Sequence, residues 1–170
     1  MSTVRRIRTL SALAIAVGLL APSARAHAQE GLKVGTMAPT SAPLETLDGQ
    51  IVNVSAYVGK RPVVFEFWAA WCGNCRVLAP QLAAAAKRYA GKVQIVTVAV
   101  SFNETVDVVK KHLATHPLAG EVLYDRSGEA SEKFDAPGTS YIVILDKSGK
   151  VVYTGMGPDQ KLDDAIRKAL

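Results

Sequence analysis

A chain of 170 residues with 49% hydrophobic and 21% charged residues has the material for one globular domain with a substantial core. Its formal charge of +5 misrepresents the body of the chain, because Arg5, Arg6, Arg8 and Arg25 lie in the first 28 residues, which hold no acid. Taking those four from the 20 basic residues leaves 16 against 15 acidic ones, so no basic field points to nucleic acid or to an anionic membrane surface.

The chain opens with Arg5, Arg6 and Arg8, an apolar run over 10–21, then Pro22 and small residues, the three-part layout of a secretory signal. Ala24-Arg25-Ala26 and Ala26-His27-Ala28 both fit the small-x-small cleavage rule, so residues 1–28 are read as a signal cut near 26 or 28, and 29–170 as the domain. An apolar run of about a dozen residues is short of the roughly 20 that span a bilayer, which favours cleavage over retention as an anchor. Either outcome exports the body. A twin-arginine signal is a poor match for the residues around Arg5-Arg6.

An irregular lead-in with Gly31, Gly35, Pro39 and Pro43 comes next, followed by a hairpin of 44–47 and 50–54 around the turn pair Asp48-Gly49. The apolar run 63–68 reads as a strand buried on both faces. Helical pattern over 74–89 stops at Gly91, and 93–100 is a second buried strand. Residues 104–116 place Val106, Val109 and Leu113 on one helical face and end at Pro117. A short strand at 121–124, a short helix at 128–134, strands at 141–145 and 151–154, and a closing helix at 162–170 complete the chain. Alternation of this kind predicts a three-layer α/β sandwich with parallel crossovers and a final antiparallel hairpin.

The chain has two cysteines, Cys72 and Cys75, and Cys72 sits where a buried strand passes into a helix. Free backbone N–H groups and the positive helix end favour an anion there, so the Cys72 thiol pKa is expected below the roughly 8.5 of a free thiol. Cys75, one turn on, is placed to resolve a mixed disulfide. A static clip is the competing reading, but closing so short a loop removes little chain entropy. Structural zinc would need more ligands than the chain supplies at suitable spacing, and no metal is expected. Glu66 alternates with Phe65 and Phe67 inside the apolar strand. If buried, its carboxyl pKa is raised and it suits proton transfer near neutral pH; if at an edge, it faces water. His112 and His116 are spaced i, i+4, and without an intervening acid they are read as a solvated helix face.

Phe67-Trp68-Ala69-Ala70-Trp71-Cys72-Gly73-Asn74-Cys75-Arg76, with Pro80 after it, resembles the active-site segment of the thioredoxin superfamily. Gly35 to Pro39, Leu47-Asp48-Gly49-Gln50, Gly59-Lys60, Gly138-Thr139, Ile142 to Asp146, Gly149-Lys150-Val151 and Gly155 resemble its periplasmic TlpA/ResA-like branch, over nearly all of 34–170. The resemblance implies a thioredoxin-like fold with a central mixed sheet and an N-terminal β-hairpin extension. It implies thiol-disulfide exchange with protein substrates, usually reducing, with no organic cofactor. Cys72 would attack, Cys75 resolve, and Glu66 serve Cys75 as the buried acid. Trp71 would shield the pair while Trp68 packs in the core. Trp71, Gly73, Asn74, Thr139 and Ser140 would contact substrate.

Three positions depart from that pattern. Ser140 stands where a cis-proline is usual, so the loop is either trans or held in strain. Leu78 replaces an acid common in the branch, which shifts proton handling to Glu66. Asn74 keeps an N–H that the usual proline lacks. The reading that follows is an exported, monomeric thiol-disulfide oxidoreductase fed by a membrane-embedded electron donor, with apocytochromes among candidate substrates. A disulfide-forming oxidant and a Cu(I)-binding chaperone are the rival readings. A peroxide-consuming relative is disfavoured, since Ala69 stands where a peroxidatic site would want threonine.

Overall fold

The computed structural model describes residues 31–170; the expected signal segment, residues 1–28, lies outside the described residues. Seven strands form one mixed sheet in the order β2-β1-β5-β4-β3-β6-β7. They are β1 (Pro43–Thr46), β2 (Ile51–Asn53), β3 (Val63–Trp68), β4 (Gln94–Val100), β5 (Glu121–Asp125), β6 (Tyr141–Leu145) and β7 (Val151–Gly155). The helices are α1 (Gly73–Arg88), α2 (Val106–Thr115), α3 (Glu129–Lys133) and α4 (Leu162–Arg167). Strands β3, β4 and β5 run parallel, and β6 and β7 add antiparallel at the β3 side. No helix of the described residues is long and apolar enough to cross a membrane.

All six residues of β3 are buried, as a central strand covered on both faces requires. Val63, Phe65 and Phe67 face one layer, where Phe134 at the end of α3 packs against both phenyl rings at centroid distances of 5.3 Å. Val64 and Trp68 belong to the opposite face. There Val64 meets Leu78, Leu82 and Ala85 of α1 and Leu162 and Ile166 of α4, while Trp68 meets Val109 of α2. Helices on both faces of a mixed sheet make this the three-layer thioredoxin-like fold. Leu78, the residue that departs from the branch's acid, is fully buried in the α1–α4 layer.

The N-terminal hairpin turns at Asp48-Gly49, with Gly49 at φ 85° and the Thr46 amide donating to the Gln50 carbonyl. Its second strand is shorter than the expected 50–54, because the buried Val54 opens a 3-10 turn and its amide donates to the Ala42 carbonyl. The closing helix also stops three residues before the expected position, at Arg167. Pairing of the hairpin was not contained in its own pattern: β1 joins the sheet antiparallel to β5, with Glu45 opposite Tyr124. Arg126 Nε then donates to both oxygens of Glu45 at 2.8 Å. The lead-in zips onto the β6–β7 hairpin through Gly35 N to Val151 O, Val151 N to Thr36 O and Ala38 N to Gly149 O.

Helix α3 has only five residues and starts at a glycine with no capping side chain, so its free amides must be satisfied elsewhere. The fully buried Asp125, at the end of β5, accepts from Ala130 N, Ser131 N and Ser131 Oγ. Phe134 and the 134–141 segment follow directly. Asp125→Ala should therefore cost about 2–4 kcal/mol, the range for orphaning buried donors and removing a cap. Urea unfolding should show a lower midpoint at unchanged slope; an unshifted midpoint would contradict this account.

Candidate active site

Strand β3 ends at Trp68, and a tight turn closed by Cys72 N donating to Ala69 O at 3.0 Å brings the chain to Cys72. Cys72 is the N-cap of α1: its backbone is extended (φ -74°, ψ 106°) and its Sγ accepts from Cys75 N at 3.1 Å. The first turn of α1 carries no acid, so no side chain of the helix itself offsets its positive end beside that sulfur. Cys72 and Cys75 form a disulfide with their Cα atoms 5.3 Å apart. Cys72 is 4% exposed and Cys75 is fully buried, so an incoming thiolate meets Cys72 first. Gly73 and Asn74 are exposed at the helix start between them.

Glu66 shares the face of β3 that carries Val64 and Trp68, the face on which α1 and the cysteine pair pack. It is 1% exposed, and its β4 neighbour Thr97 donates to Oε2 at a long 3.5 Å while Oε1 has no partner. Burial pushes the carboxyl up to about 8, against a small lowering by the Thr97 hydroxyl. The water-facing alternative weighed for Glu66 therefore does not hold.

The loop after β4 braces the other side of the pair. Trp71, 48% exposed, donates from Nε1 to Phe102 O at 3.1 Å, and its ring meets Phe102 edge-on at 6.3 Å. Trp68 lies buried beneath and touches the His112 ring at 5.2 Å. His112 is thus half-buried rather than part of a solvated face, stacked on His116 at 4.6 Å, and burial holds its pKa below the usual imidazole value. Among the described residues no cluster of three His, Cys, Asp or Glu is arranged to hold a metal.

Thr139 and Ser140 are separated by the structure. Thr139 joins Trp71, the residue before Cys72, with Val100, Phe102, Ala136 and Gly138 around an apolar cleft of about 250 Å³. Ser140 is fully buried, its Oγ accepting from Gly157 N at 3.1 Å and its carbonyl from Gln160 Nε2 at 3.0 Å. Its side chain is thus committed to the fold rather than offered to substrate. The described residues contain no cis peptide, and Ser140 instead takes φ 62°, a left-handed conformation that its three hydrogen bonds, including N to Phe67 O at 2.8 Å, hold in place. Glu104 and Phe102 were not singled out from sequence. Thr105 accepts from Val108 N and caps α2, which leaves Glu104 outside the helix, at the carboxyl end of a parallel strand where sites of α/β sheets gather.

A family model described as Redoxin matches residues 33–170. The chain belongs to the redoxin family. This redoxin is 31% identical over 141 residues to a thioredoxin-like protein, YneN, of Bacillus subtilis, covering 78% of this chain and 81% of that one. It is 26% identical over 166 residues to the thiol-disulfide oxidoreductase ResA of Bacillus cereus, covering 96% and 94%. Its fold superposes on a putative thiol:disulfide interchange protein DsbE from Chlorobium tepidum with a TM-score of 0.70 at 29% identity, covering 81% and 98%. With its cysteine pair at disulfide distance, the redoxin is a thiol-disulfide oxidoreductase that acts on protein thiols and disulfides.

The buried Glu66 gives the fold a pH signature. The folded protein keeps the Glu66 proton up to about pH 8, whereas the unfolded chain releases it near 4.5, so the native state binds more protons between those values and stability falls as pH rises through them. Glu66→Gln should remove that fall and gain on the order of several kcal/mol over the wild type above pH 8. Urea denaturation from pH 4 to 9 reads it, and parallel stability curves for the two proteins would refute the burial of an unpaired carboxyl.

Proposed function

We propose that this redoxin is an exported, monomeric reductase of protein disulfides, supplied with electrons by a membrane-embedded donor, with apocytochromes awaiting haem among its substrates. The observation that carries the reading is the unequal placement of the two sulfurs: one capping a helix and retaining 4% exposure, the other fully buried on the sheet face that holds Glu66. Export is supported by the layout of residues 1–28, and the reducing direction by the resemblance to ResA-type proteins.

In the reduced protein the Cys72 thiolate attacks a substrate disulfide, forming a mixed disulfide and expelling one substrate thiolate, which takes a proton from water. In molecules whose Glu66 is ionised, a fraction that grows as pH approaches 8, the Cys75 thiol gives its proton to the Glu66 carboxylate, which afterwards releases it to water. The Cys75 thiolate then attacks Cys72 Sγ, expelling the second substrate thiolate and forming the Cys72–Cys75 bond. Two electrons pass to the substrate, and the donor restores them. Trp71, Thr139 and Phe102 line the apolar cleft in which a substrate side chain next to the reacting cysteine rests, and the exposed Gly73 and Asn74 between the cysteines offer backbone to the same substrate. Ser140 supports the 138–139 wall through its internal bonds.

Equilibration with glutathione and dithiothreitol buffers tests the direction: a potential below about -200 mV is expected, and one above about -150 mV would assign the protein to the disulfide-forming oxidants. Cys75→Ser should trap a mixed disulfide with an insulin chain, whereas Cys72→Ser should trap none. Tight Cu(I) binding without insulin reduction would favour the chaperone reading instead.

A further inference from the structure

The β4–α2 loop reaches the cysteine-bearing turn at two points. Phe102 O accepts the Trp71 indole N–H at 3.1 Å, and two residues later Glu104 Oε2 accepts the Ala70 backbone N–H at 2.6 Å. Between them Asn103 takes φ 52°, a left-handed conformation that asparagine tolerates and that turns the loop so that both acceptors meet the same segment. Glu104 is itself held: it is 5% exposed, its carbonyl accepts from the buried Tyr124 hydroxyl at 2.9 Å, and its Oε1 is buried without a partner. A carboxylate is more than a clamp needs, since an amide or a backbone carbonyl would take the Ala70 N–H without the cost of burying a charge.

We propose that Glu104 is a positioning residue of this redox centre: its carboxylate fixes the Ala70–Trp71 segment ahead of Cys72, and its negative charge opposes the Cys72 thiolate, biasing the pair toward the disulfide. Opposing the thiolate destabilises the reduced form, which makes the protein a stronger reductant. The proposal deepens the reductase reading, yet it concerns a difference between proteins and stands whatever absolute potential the wild type has. Burial raises the Glu104 pKa against a lowering by the Ala70 bond, so acidification removes its charge at a higher pH than for a free carboxyl. The other ionisable groups about the centre are Glu66 on β3, Arg76 on α1, His112 on α2, His116 just after it and Tyr124 on β5, and a Glu104 variant leaves all of them in place.

Glu104→Gln keeps an acceptor for Ala70 N–H and removes the charge. Its equilibrium constant with glutathione should differ from the wild type's by about tenfold at pH 8, toward the reduced form and equivalent to a potential about 30 mV more oxidising, and the difference should shrink as acidification protonates Glu104. Glu104→Ala should show the same charge effect and, in addition, faster hydrogen exchange at the Ala70 amide, which Glu104→Gln preserves. A difference between wild type and Glu104→Gln that does not change with pH would reduce Glu104 to a structural clamp and overturn the charge role. Unchanged Ala70 exchange in Glu104→Ala would overturn the clamp. A measurement on the wild-type chain needs no variant: by reciprocity the Glu104 carboxyl, followed by carbon NMR, should titrate at higher pH in the reduced protein than in the disulfide form, and identical titrations would sink the proposal.

Discussion

The site depends on one junction, where a strand buried on both faces gives way within four residues to a helix whose first cap is a cysteine sulfur. Strand β3 is held by β4 on one side and β6 on the other, so its end cannot drift, and Cys72 N to Ala69 O fixes the turn that follows. Helix α1 is anchored at its far end as well, with Arg88 and Tyr89 both reaching Asp163 of α4. Rigid supports at both ends leave the cap sulfur in one position. The remaining elements either pack beneath that junction or wall the approach to it.

Much of this was written in the sequence because each signal there was local. Continuous apolar residues over 63–68, the cysteine pair at the following helix start and the glycine punctuation gave the strand, the helix and the reactive centre. Pairing was harder to read. The attachment of β1 to β5 depends on the edge β5 leaves open once β3 and β4 have paired, a property of the assembled sheet rather than of residues 43–53. Glu104 escaped notice for a related reason. An acid before a helix reads as ordinary favourable charge at an N-terminus, and only the return of the loop over Ala70 turns it inward.

Ser140 shows how a departure from a family pattern is absorbed. The pattern this segment resembles has a proline there, and a proline has no N–H. In this chain the Ser140 amide bonds Phe67 O, its hydroxyl takes Gly157 N, and its carbonyl takes Gln160 Nε2, so the segment between α3 and β6 is tied to β3 and to the segment after β7 at one residue. A left-handed serine is uncommon, and three bonds from two different elements offset its conformational cost. The wall that bears Thr139 is thereby set by polar contacts in place of a rigid ring.

Two buried acids lie near the redox pair in unlike settings. Glu66 has one long hydroxyl contact and a strong push upward from burial, so at neutral pH most of it holds its proton, and the ionised fraction, a strong base for a carboxylate, grows as pH approaches 8. Glu104 takes a short backbone N–H on one oxygen, which favours the charged form that burial alone would suppress. Burial raises both carboxyls, more strongly for the deeper Glu66, and the hydrogen bond each accepts works against it. A group that must accept a proton is served by poor solvation of its charge, whereas a group whose charge acts on a neighbouring thiolate is served by keeping it. The fold supplies both environments within a few residues of one disulfide, because Glu66 meets only the sheet face and Glu104 meets the open end of a turn.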